Sequence, residues 1–138
     1  AELDAAACVD LERVFATGHS SGGFFTNMLG CQRGEVLRAI APVSAGGPFG
    51  GRCAGDVAVW LAHAENDETV AFQNGEQSRD RWLEANGCND ATVASEPAPC
   101  VEYAGCAEGR PVRWCVYDDG HAWPEFGPVG IWSFFGAL

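Results

Sequence analysis

Residues 13–31 read Arg-Val-Phe-Ala-Thr-Gly-His-Ser-Ser-Gly-Gly-Phe-Phe-Thr-Asn-Met-Leu-Gly-Cys. Arg13 to Thr17 is a β-type run that stops at Gly18, and from Ser21 to Cys31 the apolar residues Phe24, Phe25, Met28 and Leu29 return at helical spacing. The stretch predicts a strand, a tight turn and a helix. Downstream the same alternation continues. Leu37 to Val43 is a second apolar run, and a Gly/Pro-rich loop follows from Ala45 to Gly55. Val57 to Ala62 is the most continuous apolar run, the pattern of a strand buried on both faces of a parallel sheet. Gln73 to Asn86 reads as a helix closed by Gly87. Val112 to Tyr117 reads as a strand, Asp118-Asp119-Gly120 as a turn, and Val129 to Leu138 as a terminal apolar helix. The order β, α, β, loop, β, α, β, α predicts an α/β class with a mostly parallel sheet of four strands and flanking helices.

The chain has 138 residues, 47% apolar and 20% charged, which suits a single domain over residues 1–138. Eight cations, all arginine, stand against nineteen carboxylates for a net charge of -11. No basic stripe is present, so nucleic acid is not an expected partner. No apolar stretch approaches the ~20 residues that cross a bilayer, and the expectation is a soluble protein without a membrane partner. Ala1 to Ala7 reads as a helical turn carrying Glu2 and Asp4, with any signal peptide removed or upstream.

The seven cysteines are Cys8, Cys31, Cys53, Cys88, Cys100, Cys106 and Cys115. None form a Cys-x-x-Cys pair, so disulfides are expected rather than a zinc site, and with them export from the cytoplasm. Seven is odd, which leaves at least one thiol without a partner in this chain. The four from Cys88 to Cys115 punctuate a Pro/Gly/Ala-rich stretch and are expected to pair among themselves.

Gly18-His19-Ser20-Ser21-Gly22 matches G-x-S-x-G. Between a strand and a helix, this turn is so sharp that its central residue takes a strained backbone, and the two glycines let strand and helix pass. Ser20 would project its hydroxyl from the top of the sheet. The amide of Ser21, at the positive end of the helix, could then stabilise a developing oxyanion. A serine hydroxyl needs a base, and a histidine base needs an acid to fix its tautomer. Of three histidines, His19 lies inside the turn with its ring expected to point away from the Ser20 hydroxyl, and His63 reads as a packing residue at the end of a strand. His121 follows the last strand, where ligands of open α/β sheets bind. It is the base by elimination and by position. Asp67 is the acid, with Glu65 and Glu68 as competitors, while Asp118 and Asp119 read as solvated turn carboxylates. Trp60, Trp82, Trp114 and Trp132 are expected in the core. Trp123, two residues past His121, is placed beside the substrate, and Tyr103 is a weaker candidate for ring stacking. Asp10 and Arg13 are expected to pair before the first strand.

Residues 8–31, the segment His63 to Val70, and Gly120-His121-Ala122-Trp123-Pro124 together resemble the polyhydroxybutyrate depolymerase and feruloyl esterase group of the α/β-hydrolases. Asn86-Gly87-Cys88, Cys100, Tyr103-Ala104-Gly105-Cys106 and Trp114-Cys115 are similar to its secreted, feruloyl-esterase-like branch. The resemblance implies an α/β-hydrolase fold with Ser20 as nucleophile, Asp67 as orienting acid, His121 as base and the Ser21 amide as an oxyanion donor. It implies a secreted serine esterase acting on feruloyl or acetyl esters of plant polysaccharide, or on polyesters, with no metal or cofactor. Ala64 and Asp119 stand where the family has glycine. The family's early strands, with the loop carrying the other oxyanion donor, would precede Ala1, so the chain is expected to be the C-terminal portion of the fold. A non-catalytic remnant acting as a binding module is the competing expectation, and peptidase or acyltransferase chemistry on the same residues is a third.

Overall fold

The computed structural model describes residues 8–54 and 57–138. The helical turn expected at Ala1–Ala7 lies outside the described residues. Along the chain run β1 (Phe15–His19), α1 (Ser21–Arg33), β2 (Ala39–Val43), β3 (Ala58–Ala64) and α2 (Phe72–Asn86). They are followed by β4 (Thr92–Ala94), β5 (Cys100–Tyr103), β6 (Val112–Tyr117) and α3 (Gly127–Gly136). One six-stranded sheet has the order β1-β2-β3-β6-β5-β4. The pairings β1/β2, β2/β3 and β3/β6 are parallel, whereas β6/β5 and β5/β4 are antiparallel. The four strands expected from sequence form the parallel part.

The continuous apolar run of β3 has its reason in the layers on either side. Ala58, Trp60, Ala62 and Ala64 pack with Ile131, Phe134 and Phe135 of α3. The alternate residues Val57, Val59 and Leu61 pack on the other face with Cys31 of α1 and Trp82 of α2. Both faces are covered, so neither side chain set can be polar without a partner. Trp82 is fully buried, and its indole N–H donates to Asn27 Oδ1 at 2.8 Å. Asn27 in turn donates to the Gly46 carbonyl at 2.9 Å, so this buried amide joins α1, α2 and the loop after β2. Helix α2 ends at Gly87, whose left-handed φ of 66° gives the C-cap expected there.

Three disulfides form: Cys31–Cys53, Cys88–Cys106 and Cys100–Cys115. The last four cysteines therefore pair among themselves, and Cys8 is the free, exposed thiol. The Pro/Gly/Ala-rich stretch that these four cysteines punctuate holds β4 and β5, with Cys100 directly opposite Cys115 across the β5/β6 ladder. Trp60, Trp82 and Trp114 are core residues, but Trp132 is 79% exposed. Helix α3 is apolar on nearly every side, so spacing alone could not say which face it buries. The Asp10 carboxylate accepts from the Glu12 N–H at 3.0 Å, and Asp10 meets Arg13 through its backbone carbonyl, which accepts the Arg13 N–H at 3.1 Å.

Candidate active site

The turn between β1 and α1 holds Ser20 at φ 55° and ψ -122°, a conformation that L residues rarely adopt. What makes this backbone possible is a close approach of strand and helix. A Cβ on Gly18 would lie 2.4 Å from the Gly22 carbonyl carbon, and one on Gly23 would lie 2.7 Å from the Val43 carbonyl oxygen. A Cβ on Gly22 would meet nothing, so the second tight glycine is Gly23 rather than Gly22. The Ser20 N–H donates to the Val43 carbonyl, and its own carbonyl accepts the first helical bond, from Phe24 N–H. The amides of Ser21, Gly22 and Gly23 thus stand ahead of the helical ladder with no capping side chain.

Strands β1, β3 and β6 run parallel within the sheet, so the segments leaving their carboxyl ends meet along one rim. There the Ser20 hydroxyl donates to His121 Nε2 at 2.8 Å, across 101 residues of chain. His121 Nδ1–H donates to Asp67 Oδ2, also at 2.8 Å. The other carboxylate oxygen accepts the N–H groups of Thr69 and Val70 at 2.9 and 2.8 Å. Burial pushes the Asp67 carboxyl up, but the hydrogen bonds from His121, Val70 and Thr69 outweigh it and leave the group below the usual aspartate range. The carboxylate is therefore ionised and accepts, which fixes the proton on Nδ1 and leaves Nε2 free to receive one. Glu65 and Glu68 are exposed on the same loop, and it is Asp67 that the fold buries against His121.

His63 does more than pack. It is fully buried, its Nε2–H donates to the Val70 carbonyl at 2.9 Å, and the same nitrogen lies 3.5 Å from Asp67 Oδ2. Burial holds its pKa below the ordinary value, against the pull of the Val70 carbonyl and Asp67. Gly75 leaves room for the ring, since a Cβ there would lie 2.3 Å from Nδ1. The His19 ring lies 4.7 Å from the His121 ring and 5.6 Å from that of Trp123. Burial, then the nearby His121, lowers its pKa.

Trp123 is 44% exposed beside this cluster. Tyr103 is not brought there. Strand β5 runs antiparallel to β6, so Tyr103 lies beyond the Glu102/Arg113 pair, at the end of the sheet opposite His121. It packs beside the cluster that includes Trp82 and Trp114. Two clefts, of about 720 and 450 Å³, are lined by neither Ser20 nor His121.

Two contributors escaped the sequence reading. The Tyr117 hydroxyl donates to the Ala122 carbonyl at 2.7 Å and accepts from the buried Ser44 hydroxyl at 2.9 Å. The Asn66 side chain bonds the turn that precedes His121 at two points. For Asn66, an Asx-type residue next to Asp67 in a polar loop was the one local signal available. Tyr117 carried none, because Ser44 lies 73 residues away and its bond to Ala122 across a short loop leaves no pattern in the sequence.

No model of a protein family matches the chain. Among curated proteins, feruloyl esterase D of Neurospora crassa is 35% identical over 144 residues, covering 93% of this chain and 49% of that protein. The probable feruloyl esterase C of Aspergillus clavatus is 30% identical, covering 97% of this chain and 53% of its own length. Among solved structures, an acetyl xylan esterase from Aspergillus awamori superposes with a TM-score of 0.70 at 17% identity, covering 99% of this chain and 64% of that one. The chain spans about half the length of the curated relatives it matches. With an α/β sheet and a G-x-S-x-G turn at its rim, the chain is similar over nearly its whole length to feruloyl esterases and shares the fold of an acetyl xylan esterase.

Proposed function

We propose that this chain is a secreted carboxylic ester hydrolase working through Ser20, His121 and Asp67. The observation that carries the reading is the pair of 2.8 Å hydrogen bonds linking these side chains, which come from three separate segments. Ser20 Oγ attacks the ester carbonyl carbon while His121 Nε2 takes its proton. The carbonyl oxygen becomes an oxyanion facing the Ser21 N–H at the positive end of α1, and one such donor contributes about 2.7–4 kcal/mol to lowering a barrier of this type. His121 then protonates the departing alcohol, leaving an acyl group on Ser20. Water, deprotonated by His121, attacks that acyl group and releases the acid. Asp67 holds the imidazole in the tautomer this cycle needs.

The relatives' names favour feruloyl esters as substrates. Trp123, partly exposed beside His121 and His19, supports a bound aromatic acyl or alcohol group. The three disulfides support an extracellular setting.

Labelling with a fluorophosphonate, read by mass spectrometry, tests the chemistry. Wild-type protein should take up one label at Ser20 and Ser20→Ala none. Folded wild-type protein that takes no label overturns the reading and favours the non-catalytic alternative. Rates on methyl ferulate, a short-chain nitrophenyl ester and solid polyhydroxybutyrate would then order the substrate classes, with methyl ferulate expected first.

A further inference from the structure

The parallel ladder between β3 and β6 ends at Ala64 and Tyr117, with a last backbone bond from Glu65 N–H to the Tyr117 carbonyl at 2.8 Å. Beyond that rung the two chains diverge, one into the loop with Asp67 and the other into the loop with His121. The next rung is made by a side chain. The Asn66 carboxamide donates through Nδ2–H to the Asp118 carbonyl, and its Oδ1 accepts the Gly120 N–H at 2.8 Å. One amide thus supplies both the donor and the acceptor that a further strand residue would have offered. Asn66 immediately precedes Asp67, and Gly120 immediately precedes His121, so the two groups that share the 2.8 Å imidazole–carboxylate bond sit one residue from each end of this staple. The far side of the His121 loop is held separately, through the Ala122 carbonyl and Tyr117.

We propose that Asn66 is a positioning residue, which carries the Asp67 loop and the His121 loop as one unit and so sets the reach of the imidazole to Ser20. The inference rests on the reading of Ser20, His121 and Asp67 as the reacting groups. A side chain that merely tidied a surface turn would affect stability alone. A positioning residue must affect the rate at which Ser20 reacts and the hydrogen bond between His121 and Asp67. Misplacement of a base by about 1 Å is enough to cost on the order of 10²-fold in rate.

The test compares wild-type protein with Asn66→Ala and with Asn66→Asp, the latter nearly isosteric, keeping the acceptor for Gly120 but replacing the donor to Asp118 by a charged oxygen. Three quantities are read: the rate of fluorophosphonate labelling, the split between kcat and KM on methyl ferulate, and the downfield NMR resonance of the His121 Nδ1 proton. Asn66→Ala should label roughly ten- to a hundredfold more slowly, with KM within about twofold, and its Nδ1 proton should broaden or vanish. Asn66→Asp should shift the same quantities in the same direction, and it carries the test if the alanine variant does not fold. Wild-type labelling rate and an unchanged Nδ1 resonance in a folded variant overturn the proposal. If wild-type protein itself takes no label, the reading of Ser20 as nucleophile fails, yet the resonance still decides the inference. Its loss in the variants supports positioning by Asn66, and its persistence ends the idea.

Discussion

At the scale of single residues, acid sensitivity is built into the site. Buried His63 is held neutral, with its pKa below the ordinary value chiefly because of burial. In the unfolded chain an imidazole takes a proton near pH ~6.5, so below that pH the unfolded state binds more protons than the folded one. The stabilisation from neutral His63 is therefore fully present above about pH 6.5 and is lost as the pH falls toward its depressed folded value. Asp67 adds a second, lower window. Its carboxyl lies below the usual range, so its contribution is present above about pH 4 and is lost as pH falls through the folded value. His63→Gln should flatten the dependence of unfolding free energy on pH below about 6.5, where one extra proton on the unfolded state gives a slope approaching 1.4 kcal/mol per pH unit. Urea titrations at several pH values measure it. Equal slopes in the two proteins would show that His63 does not remain neutral in the fold.

At the scale of elements, the hairpin of β4 and β5 leans on its crosslink. Strand β4 has three residues, all exposed, and among the described residues pairs only with β5. Cys100 and Cys115, opposite one another and both buried, close a loop with a sequence separation of 15. A loop of that length predicts about 3 kcal/mol of stabilisation. The double variant Cys100→Ala, Cys115→Ala should lose about that much in a denaturant titration, with early protease cuts in residues 89–111. Labelling of Ser20 should persist, since β6 keeps its parallel pairing with β3. A loss below about 1 kcal/mol would mean that the sheet holds the hairpin without the bond. The same hairpin marks the limit of what local patterns reveal. Strand β3 was legible because burial on both faces makes its run continuous, and the β1–α1 turn because glycine on the strand side and helical spacing beyond it coincide. Strand β4 buries no side chain, so it imposes no apolar alternation and reads as loop. Trp132 failed for the opposite reason, an excess of apolar residues around α3. Ser20, Asp67 and His121 could be named from strand ends and chain order. Asn66, Tyr117 and Ser44 could not, because their bonds span 52 to 73 residues or one short loop and leave no period in the sequence.

At the scale of the whole molecule, charge bears on which esters the proposed reaction would accept. The chain carries -11, with cations supplied by eight arginines alone. Near the His121 loop the imbalance is local as well, since Glu65, Asp118, Asp119 and Glu125 line one cleft beside it with no arginine among its lining residues. A negative field of this kind repels anionic substrates over about a Debye length, ~10 Å at 0.1 M salt and ~30 Å at 0.01 M. An ester bearing a carboxylate should therefore be hydrolysed with a lower kcat/KM than its neutral isostere at low ionic strength. Raising sodium chloride from 10 mM to 0.5 M should lift the anionic rate by roughly tenfold, the low end of electrostatic steering effects, and leave the neutral one within about twofold. The ratio of the two is the quantity to follow, because it cancels any effect of salt on the fold. A ratio that stays flat across that range would mean that substrate meets Ser20 out of reach of these carboxylates, and that the acidic surface serves solubility alone.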